Sequence, residues 1–167
     1  NGNINLNIVL KKGTPAFVRR IDKTLISLLS GGAAKVNYWH WMFDSLPKIG
    51  ILEKKIDIKN YLILAPSLKK KFQIETLLAL GFKCQQLING EKFKHISAKN
   101  ILATDHPVDL NNNPSISILN MPNWIINWHR NKFLNKVKKL NFACDKIYID
   151  RQNNFKNNNR IILNNDE

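Results

Sequence analysis

Apolar residues along the chain fall into short runs of strand length, and stretches of helical length lie between them. The run Tyr61–Ala65 is continuous rather than alternating in apolarity, which is typical of a strand covered on both faces. The predicted strands are Ile4–Leu10, Ala16–Ile21, Leu25–Leu29, Tyr61–Ala65, Phe82–Ile88, Asn100–Thr104 and Lys146–Asp150. Helices are predicted over residues 37–53, 68–80 and 122–140. Strands that alternate with helices predict an α/β fold with a layered, largely parallel sheet.

Three residues are predicted to start, break or end these helices. Pro47 forces a break or kink near Leu46, because proline lacks a backbone N–H and clashes with the preceding turn. Gly81 stops the second helix, and Pro122 sits where a first helical turn tolerates it.

The first predicted helix carries the segment Asn37–Pro47, which reads NYWHWMFDSLP. A helical wheel with a step of about 100° places Asn37, His40, Asp44 and Lys48 on one narrow stripe. Aromatic and aliphatic residues fill most of the remaining circumference, which is typical of a buried helix. The stripe is therefore the polar face of an otherwise buried helix, and burial of such groups is costly unless they are paired or face a wet cleft.

Two interpretations of this stripe stay open. In the first, His40 and Asp44 at i,i+4 hydrogen-bond each other and anchor the helix to its neighbours. In the second, the stripe lines a ligand cleft at the strand ends of the sheet, with Asp44 as a candidate base and His40 orienting it or contacting the ligand.

The charge balance indicates an anionic partner. The chain has 26 Lys and Arg against 12 Asp and Glu, a formal net charge of +14. Nucleic acid, an anionic membrane surface and a phosphorylated or acidic ligand all fit this charge. The basic clusters are dispersed over several elements, which argues against nucleic acid. The predicted helix over residues 122–140 combines Trp124 and Trp128 with later lysines, so an amphipathic role at a membrane surface is a further hypothesis.

Other candidate groups are few. Arg151 directly follows a predicted strand, where its planar guanidinium suits a phosphate, and Arg160 could join it; an ordinary surface arginine is the alternative. His95 and His106 have no acidic or cysteine partner at ligand spacing, so both are interpreted as structural or surface residues. The sequence contains no Asp-x-Asp and no Cys/His metal spacing, and no metal or other cofactor is predicted. No apolar run approaches the ~20 residues that span a bilayer, so a soluble or peripheral protein is expected.

Two stretches together suggest a family. Asn37–Pro47 resembles the N-Y-x-H-W-x-x-E/D-x-L-P signature of the family 61 glycosyltransferases, which include bacterial capsular-polysaccharide biosynthesis proteins and eukaryotic O-GlcNAc and xylosyl transferases. Ile147–Arg151 with Arg160–Glu167 resembles the same family's Y-I-S-R … R-x-I-x-N-E-x-E element. The two motifs occur along this chain in the same order as in the family. Asp150 and Asn165 depart from the pattern, where the family has a small residue and an acid.

This resemblance implies a GT-B architecture of two Rossmann-like domains that face a cleft. Residues 1–35 are then N-terminal strands, residues 36–145 form the Rossmann-like acceptor-side domain, and residues 146–167 begin a donor-side domain that is cut short. The chain is therefore expected to continue in a longer protein, and this portion is expected to be inactive alone.

The implied activity is transfer of a sugar from a nucleotide-sugar donor to a glycan acceptor, with inversion, in cell-surface polysaccharide biosynthesis. The implied location is the cytoplasm or the inner face of the membrane. The resemblance assigns Asp44 and His40 to catalysis, with Asp44 as base, and Asn37, Arg151 and Arg160 to substrate binding. The alternative is a non-catalytic basic α/β domain that binds an anionic glycan, a membrane surface or nucleic acid; a purely structural role of the aromatic segment is the third.

Overall fold

The computed structural model describes Gly13 and residues 16–31, 33–108 and 121–134. All of them belong to one compact unit, Asn1–Val137, whereas the second unit, Lys138–Glu167, lies outside the described residues. The predicted strands Ile4–Leu10 and Lys146–Asp150 also lie outside them.

The described strands form one parallel sheet. They are β1 (Arg19–Ser27), β2 (Leu62–Ala65), β3 (Leu87–Asn89) and β4 (Ile96–Leu102). Their order across the sheet is β3-β2-β1-β4, and each neighbouring pair is parallel. The predicted α/β class and the parallel sheet are confirmed. Because β1 lies between β2 and β4, the described residues on either side of position 35 share this sheet.

Strand β1 corrects the prediction of two separate strands, Ala16–Ile21 and Leu25–Leu29. The polar residues between them do not form a turn, because β1 continues through them with a register shift between Ile21 and Thr24 against β4. Such an irregularity lets a strand pass through polar residues while keeping most of its pairing. The amino-terminal half of β1 is largely exposed, so polar residues are tolerated there.

The last two strands also differ from prediction. Phe82–Ile88 is not one strand, since Cys84–Gln86 forms a 3₁₀ turn and β3 begins only at Leu87. The Gln86 side chain holds this turn, because its Nε2 atom donates to the carbonyl oxygens of Lys59 (2.6 Å) and Tyr61 (3.0 Å). Strand β4 begins four residues earlier than predicted and ends at Leu102.

The helices follow the predicted order. Residues 38–52 form what we call the aromatic helix, which consists of α1 (Tyr38–His40), a π-helical turn (Trp41–Ser45) and α2 (Pro47–Leu52). Helix α3 spans Lys71–Ala79, helix α4 spans Asn123–Phe133, and a 3₁₀ turn covers Ala33–Lys35. Gly81 has a φ of +96° just after α3, as its predicted role in ending that helix requires. None of the helices in the described stretches is long and apolar enough to cross a membrane.

The two faces of the sheet are covered differently. On the first face, Ile26 and Ile63 pack in a core with Trp41 and Leu77, so the aromatic helix and α3 lie over this face. On the second face, buried residues of three strands form a smaller cluster: Leu25, Leu64 and Ile88. The expectation that the aromatic helix is buried nearly all round is wrong, because Tyr38 is 56% exposed whereas Trp41 is fully buried.

Helix α4 is fastened to the aromatic helix by its Trp128. The indole Nε1 donates a hydrogen bond of 2.6 Å to Glu53 Oε1, and Lys132 Nζ lies 2.8 Å from Glu53 Oε2. Gly50 permits this approach, because a Cβ there would lie 2.8 Å from the indole nitrogen. The aromatic helix is thus held between the sheet and α4, which fixes the side chains on its remaining face.

Candidate functional site

The carboxyl ends of β1 and β4 are neighbours at one edge of the sheet. The chain passes from β1 to β2 and β3 in one direction, and β4 then lies on the other side of β1. In open α/β sheets, ligands bind outside the carboxyl ends of the strands at the point where the strand order reverses. The segment after β1 leads into the aromatic helix, and the segment after β4 contains His106. The polar stripe of the aromatic helix is therefore expected at this edge of the sheet.

Asn37 starts the aromatic helix. Its Oδ1 atom accepts hydrogen bonds from the backbone N–H groups of Trp39 (2.9 Å) and His40 (3.4 Å), as an N-cap residue does. The residue is exposed. In this structure Asn37, predicted as a substrate-binding residue, fixes the helical turn that carries His40.

His40 and Asp44 form the centre of the site. His40 Nδ1 lies 2.7 Å from Asp44 Oδ2, one helical turn away. The other carboxylate oxygen, Oδ1, lies 3.6 Å from Nε2 of His106. The Asp44 side chain is only 13% exposed, compared with 33% for His40 and 28% for His106. One nearly buried carboxylate is therefore shared between two imidazoles that solvent still reaches. We call His40, Asp44 and His106 the His–Asp–His cluster.

The place of His106 corrects the interpretation that it has no acidic partner. Its acid comes from the aromatic helix, 62 positions earlier in the chain, and spacing along the sequence does not report such a contact. Its Nδ1 atom lies 2.9 Å from the carbonyl oxygen and 3.2 Å from the amide nitrogen of Val108. The only signal in the sequence was its position just after the apolar strand that became β4, since strand ends are where such sites lie.

Lys48, the last residue of the predicted stripe, is buried. The residue is only 6% exposed, and its Nζ donates a hydrogen bond of 2.6 Å to the carbonyl oxygen of Leu29. Burial lowers the pKa of Lys48, and the negative charge of Asp44 partly opposes that shift. A second contact, 2.6 Å between the hydroxyls of Ser30 and Ser45, also ties the segment after β1 to the aromatic helix.

The π-helical turn shapes this region. The Leu46 N–H donates to the carbonyl oxygen of Trp41, five residues back, at 2.9 Å. Pro47 has no N–H to offer the next carbonyl, that of Met42. The side chain of His129 in α4 binds this carbonyl group instead, because its Nε2 lies 2.7 Å from the Met42 oxygen. Single π-helical turns are frequent at functional sites.

The tautomer of His40 follows from its contact with Asp44. A carboxylate at 2.7 Å accepts the Nδ1 proton, so the neutral ring carries its lone pair on Nε2. No described residue binds that Nε2 atom, and it is not among the buried side-chain atoms that lack a partner. The His40 side chain as a whole is 33% exposed. An imidazole oriented by a carboxylate, with its second nitrogen accessible, can accept a proton from a bound hydroxyl group.

Arg151 and Arg160 lie outside the described residues. Within the described part of the chain, no three His, Cys, Asp or Glu side chains are arranged to hold a metal ion.

Comparison of the chain with protein-family models finds no match, and comparisons with curated proteins and with solved structures find none either. The family resemblance therefore rests on the motif residues alone.

Proposed function

We propose that this chain is part of a glycosyltransferase that transfers a sugar from a nucleotide-sugar donor to a glycan acceptor. The observation that supports the proposal best is the convergence of His40, Asp44 and His106 outside the carboxyl ends of β1 and β4. His40 and Asp44 are also the titratable residues of the motif Asn37–Pro47, which resembles the family 61 signature. In this proposal the parallel sheet is the Rossmann-like, acceptor-side half of a GT-B enzyme, and the protein works at the cytoplasmic face of a membrane in cell-surface polysaccharide synthesis.

The geometry favours a division of roles that reverses the one expected from the sequence. Asp44 is nearly buried and both of its oxygens face imidazoles, so it is better placed to orient a base than to act as one. His40 is 33% exposed and no described residue binds its Nε2, so it is the better base. His106 is a positioning residue, because its Nε2 faces Asp44 while its Nδ1 is held at Val108.

The proposed reaction is an inverting displacement. His40 Nε2 takes the proton of the acceptor hydroxyl, and the acceptor oxygen forms a bond to the anomeric carbon of the sugar. The bond between that carbon and the phosphate oxygen breaks, and the nucleoside diphosphate leaves with the electron pair. Arg151 and Arg160 are assigned to the leaving diphosphate by resemblance alone.

The test uses the complete protein that contains this chain. It is incubated with UDP-, GDP- and dTDP-linked sugars and a panel of glycan acceptors, and release of the nucleoside diphosphate is measured together with the glycosylated product. We expect transfer with one donor, and a loss of about 10²- to 10⁴-fold in His40→Gln. Asp44→Asn should cause a similar loss, because an amide N–H facing Nδ1 favours the tautomer that has no lone pair on Nε2.

A matched control separates this role from general damage. Asp57 is an exposed aspartate that caps Lys59 N–H at 3.1 Å, and Asp57→Asn keeps that acceptor, so its activity should equal wild type. If His40→Gln and Asp44→Asn keep near-normal turnover, the assigned roles are wrong. If no nucleotide-sugar is used while the intact protein binds anionic glycans in a salt-sensitive way, the non-catalytic alternative is correct.

A further inference from the structure

A groove of about 700 Å³ lies on the second face of the sheet, away from the His–Asp–His cluster. Two of its lining residues, Leu25 and Leu64, are almost completely buried in the smaller core cluster of that face. Phe93 and Ile101 form apolar walls, and Ile101 is 55% exposed. The volume is within the range of small-molecule sites, which are mostly apolar with a few placed polar groups.

The connection between β3 and β4 is too short to carry a helix over this face. Only residues 90–95 join the two strands, whereas a crossover that carries a helix needs at least about 10–12 residues. The connection begins with Gly90 N–H bonded to Ala65 O and ends with His95 O bonded to Arg19 N–H, both at 2.9 Å. It therefore runs from the carboxyl end of β2 to the amino end of β1, and Gly90, Phe93, Lys94 and His95 of this connection line the groove.

Two ammonium groups line this groove. Lys35 and Lys94 are exposed lining residues, and neither ammonium group has a hydrogen bond or ion pair with another described residue. Glu91 is within electrostatic range of Lys35, but its carboxylate is already bound by Ser67 at 2.9 Å and Lys69 at 3.2 Å. The groove thus combines apolar walls with two cations that form no ion pair with the part of the chain that the structure describes.

The turn that presents Lys35 is rigidly held. Gln73 is completely buried, and its Nε2 donates to the carbonyl oxygens of Ala34 (3.2 Å) and Lys35 (3.1 Å). Its Oε1 accepts the Lys70 N–H at 3.0 Å, so every part of the amide is engaged. At the opposite wall, Gly90 is required, because a Cβ there would lie 2.8 Å from the carbonyl oxygen of Ala65. A preorganised wall of this kind lowers the cost of binding.

We propose that this groove binds a single-chain anionic amphiphile, a molecule with one alkyl chain that ends in a phosphate or carboxylate. The alkyl chain lies against Phe93 and Ile101, and the anionic end meets Lys35 and Lys94. A single-chain ligand is proposed because the groove, at about 700 Å³, has the size of a small-molecule site. The proposal is independent of the glycosyltransferase proposal, since none of these residues belongs to the His–Asp–His cluster.

The probe is dodecyl phosphate, kept below its micelle concentration, and binding is measured by isothermal titration calorimetry. We expect saturable one-to-one binding. Octyl phosphate, four methylenes shorter, should bind on the order of a hundredfold more weakly, and inorganic phosphate should show no binding at the same concentration. Failure of dodecyl phosphate to bind overturns the proposal, and so does equal binding of all three probes.

Variants identify the groove as the site. Lys35→Gln combined with Lys94→Gln should weaken dodecyl phosphate binding about tenfold, whereas Lys99→Gln on the same strand as Ile101 should leave it within twofold. Ile101→Glu places a negative charge on the groove wall and should abolish binding without harming the fold, because Ile101 is already exposed. Leu78→Glu, at an apolar residue 40% exposed on α3, is its control. Unchanged binding in both groove variants places the amphiphile elsewhere and refutes the proposal.

Discussion

His129 should make the stability of this protein depend on pH in the mildly acidic range. Its Nε2–H donates to the Met42 carbonyl, and its Nδ1 is buried without a hydrogen-bond partner in the described structure. The ring is surrounded by Phe43, Trp128 and Phe133, which offer no acceptor for a second proton. Burial consequently lowers the pKa of His129 below its ordinary value near 6.5, although the Met42 carbonyl partly opposes the shift.

The sign and size of the effect follow from proton linkage. Between the lowered folded-state pKa and about 6.5, the unfolded chain binds a proton at His129 that the folded chain does not. The free energy of unfolding therefore falls as pH falls below about 6.5. One proton changes it by at most about 1.4 kcal/mol per pH unit, so the loss between pH 7.5 and 5.5 should reach at most about 1.4 kcal/mol. For a chain of this size that corresponds to about 3–6 °C in Tm.

Urea denaturation followed by tryptophan fluorescence at pH 7.5 and 5.5 measures this loss. His129→Gln keeps an N–H for the Met42 carbonyl but cannot titrate, so it should lose less stability than wild type over the same pH step. His129→Leu should already be destabilised by about 1–3 kcal/mol at pH 7.5, because it leaves that carbonyl without its donor. If wild type and His129→Gln lose the same free energy between the two pH values, then His129 does not carry the effect and the reasoning fails.

Three more substitutions test other contacts by the same denaturation assay. Gly50→Ala should destabilise the protein by about 1–3 kcal/mol despite the better helix propensity of alanine, because the new Cβ meets three Trp128 ring atoms at 2.8–3.0 Å. In a chain that also carries Trp128→Ala, the Gly50→Ala change should no longer have this cost. If the two losses of stability are additive instead, the clash is not the cause. Wild type should gain stability relative to Lys48→Met as pH rises toward 10.5, because burial lowers the pKa of Lys48 and the folded chain releases its proton first; parallel pH curves would refute this. Wild type should lose stability relative to Glu91→Gln below pH 4.5, since the hydrogen bond from Ser67 is the main cause that lowers the pKa of Glu91, and a constant difference would count against it.

Periodicity in the sequence was enough to identify the local features of this fold. The continuous apolar run at Tyr61–Ala65 became β2, which is buried along most of its length. The wheel placed His40 and Asp44 on one face, and their contact at 2.7 Å is local to the aromatic helix. Gly81 ended α3 as predicted. Each of these features depends on residues within a turn or two of one another, where spacing translates directly into geometry.

Contacts between distant segments were the features that spacing could not predict. Nothing near His106 in the chain marks it as a partner of Asp44, since only the order of the strands brings their two segments together. The division of β1 into two strands failed for a related reason. The polar residues between Ile21 and Thr24 resemble a turn locally, but pairing with β4 on one side holds the chain extended through them.

Pro47 shows how a correct local prediction can still miss the structural outcome. The break or kink expected near Leu46 takes the form of a π-helical turn before Pro47, since Leu46 itself keeps helical dihedral angles and α2 begins at Pro47. The sequence does not say what becomes of the carbonyl group that the proline cannot satisfy. That group, on Met42, is bound by His129 from a helix 87 positions along the chain, so the proline fastens α4 to the aromatic helix rather than merely interrupting it. This contact helps to hold the aromatic helix in the position where Asp44 contacts His106. Pro47 therefore supports the candidate site through a contact between segments that are distant in the sequence.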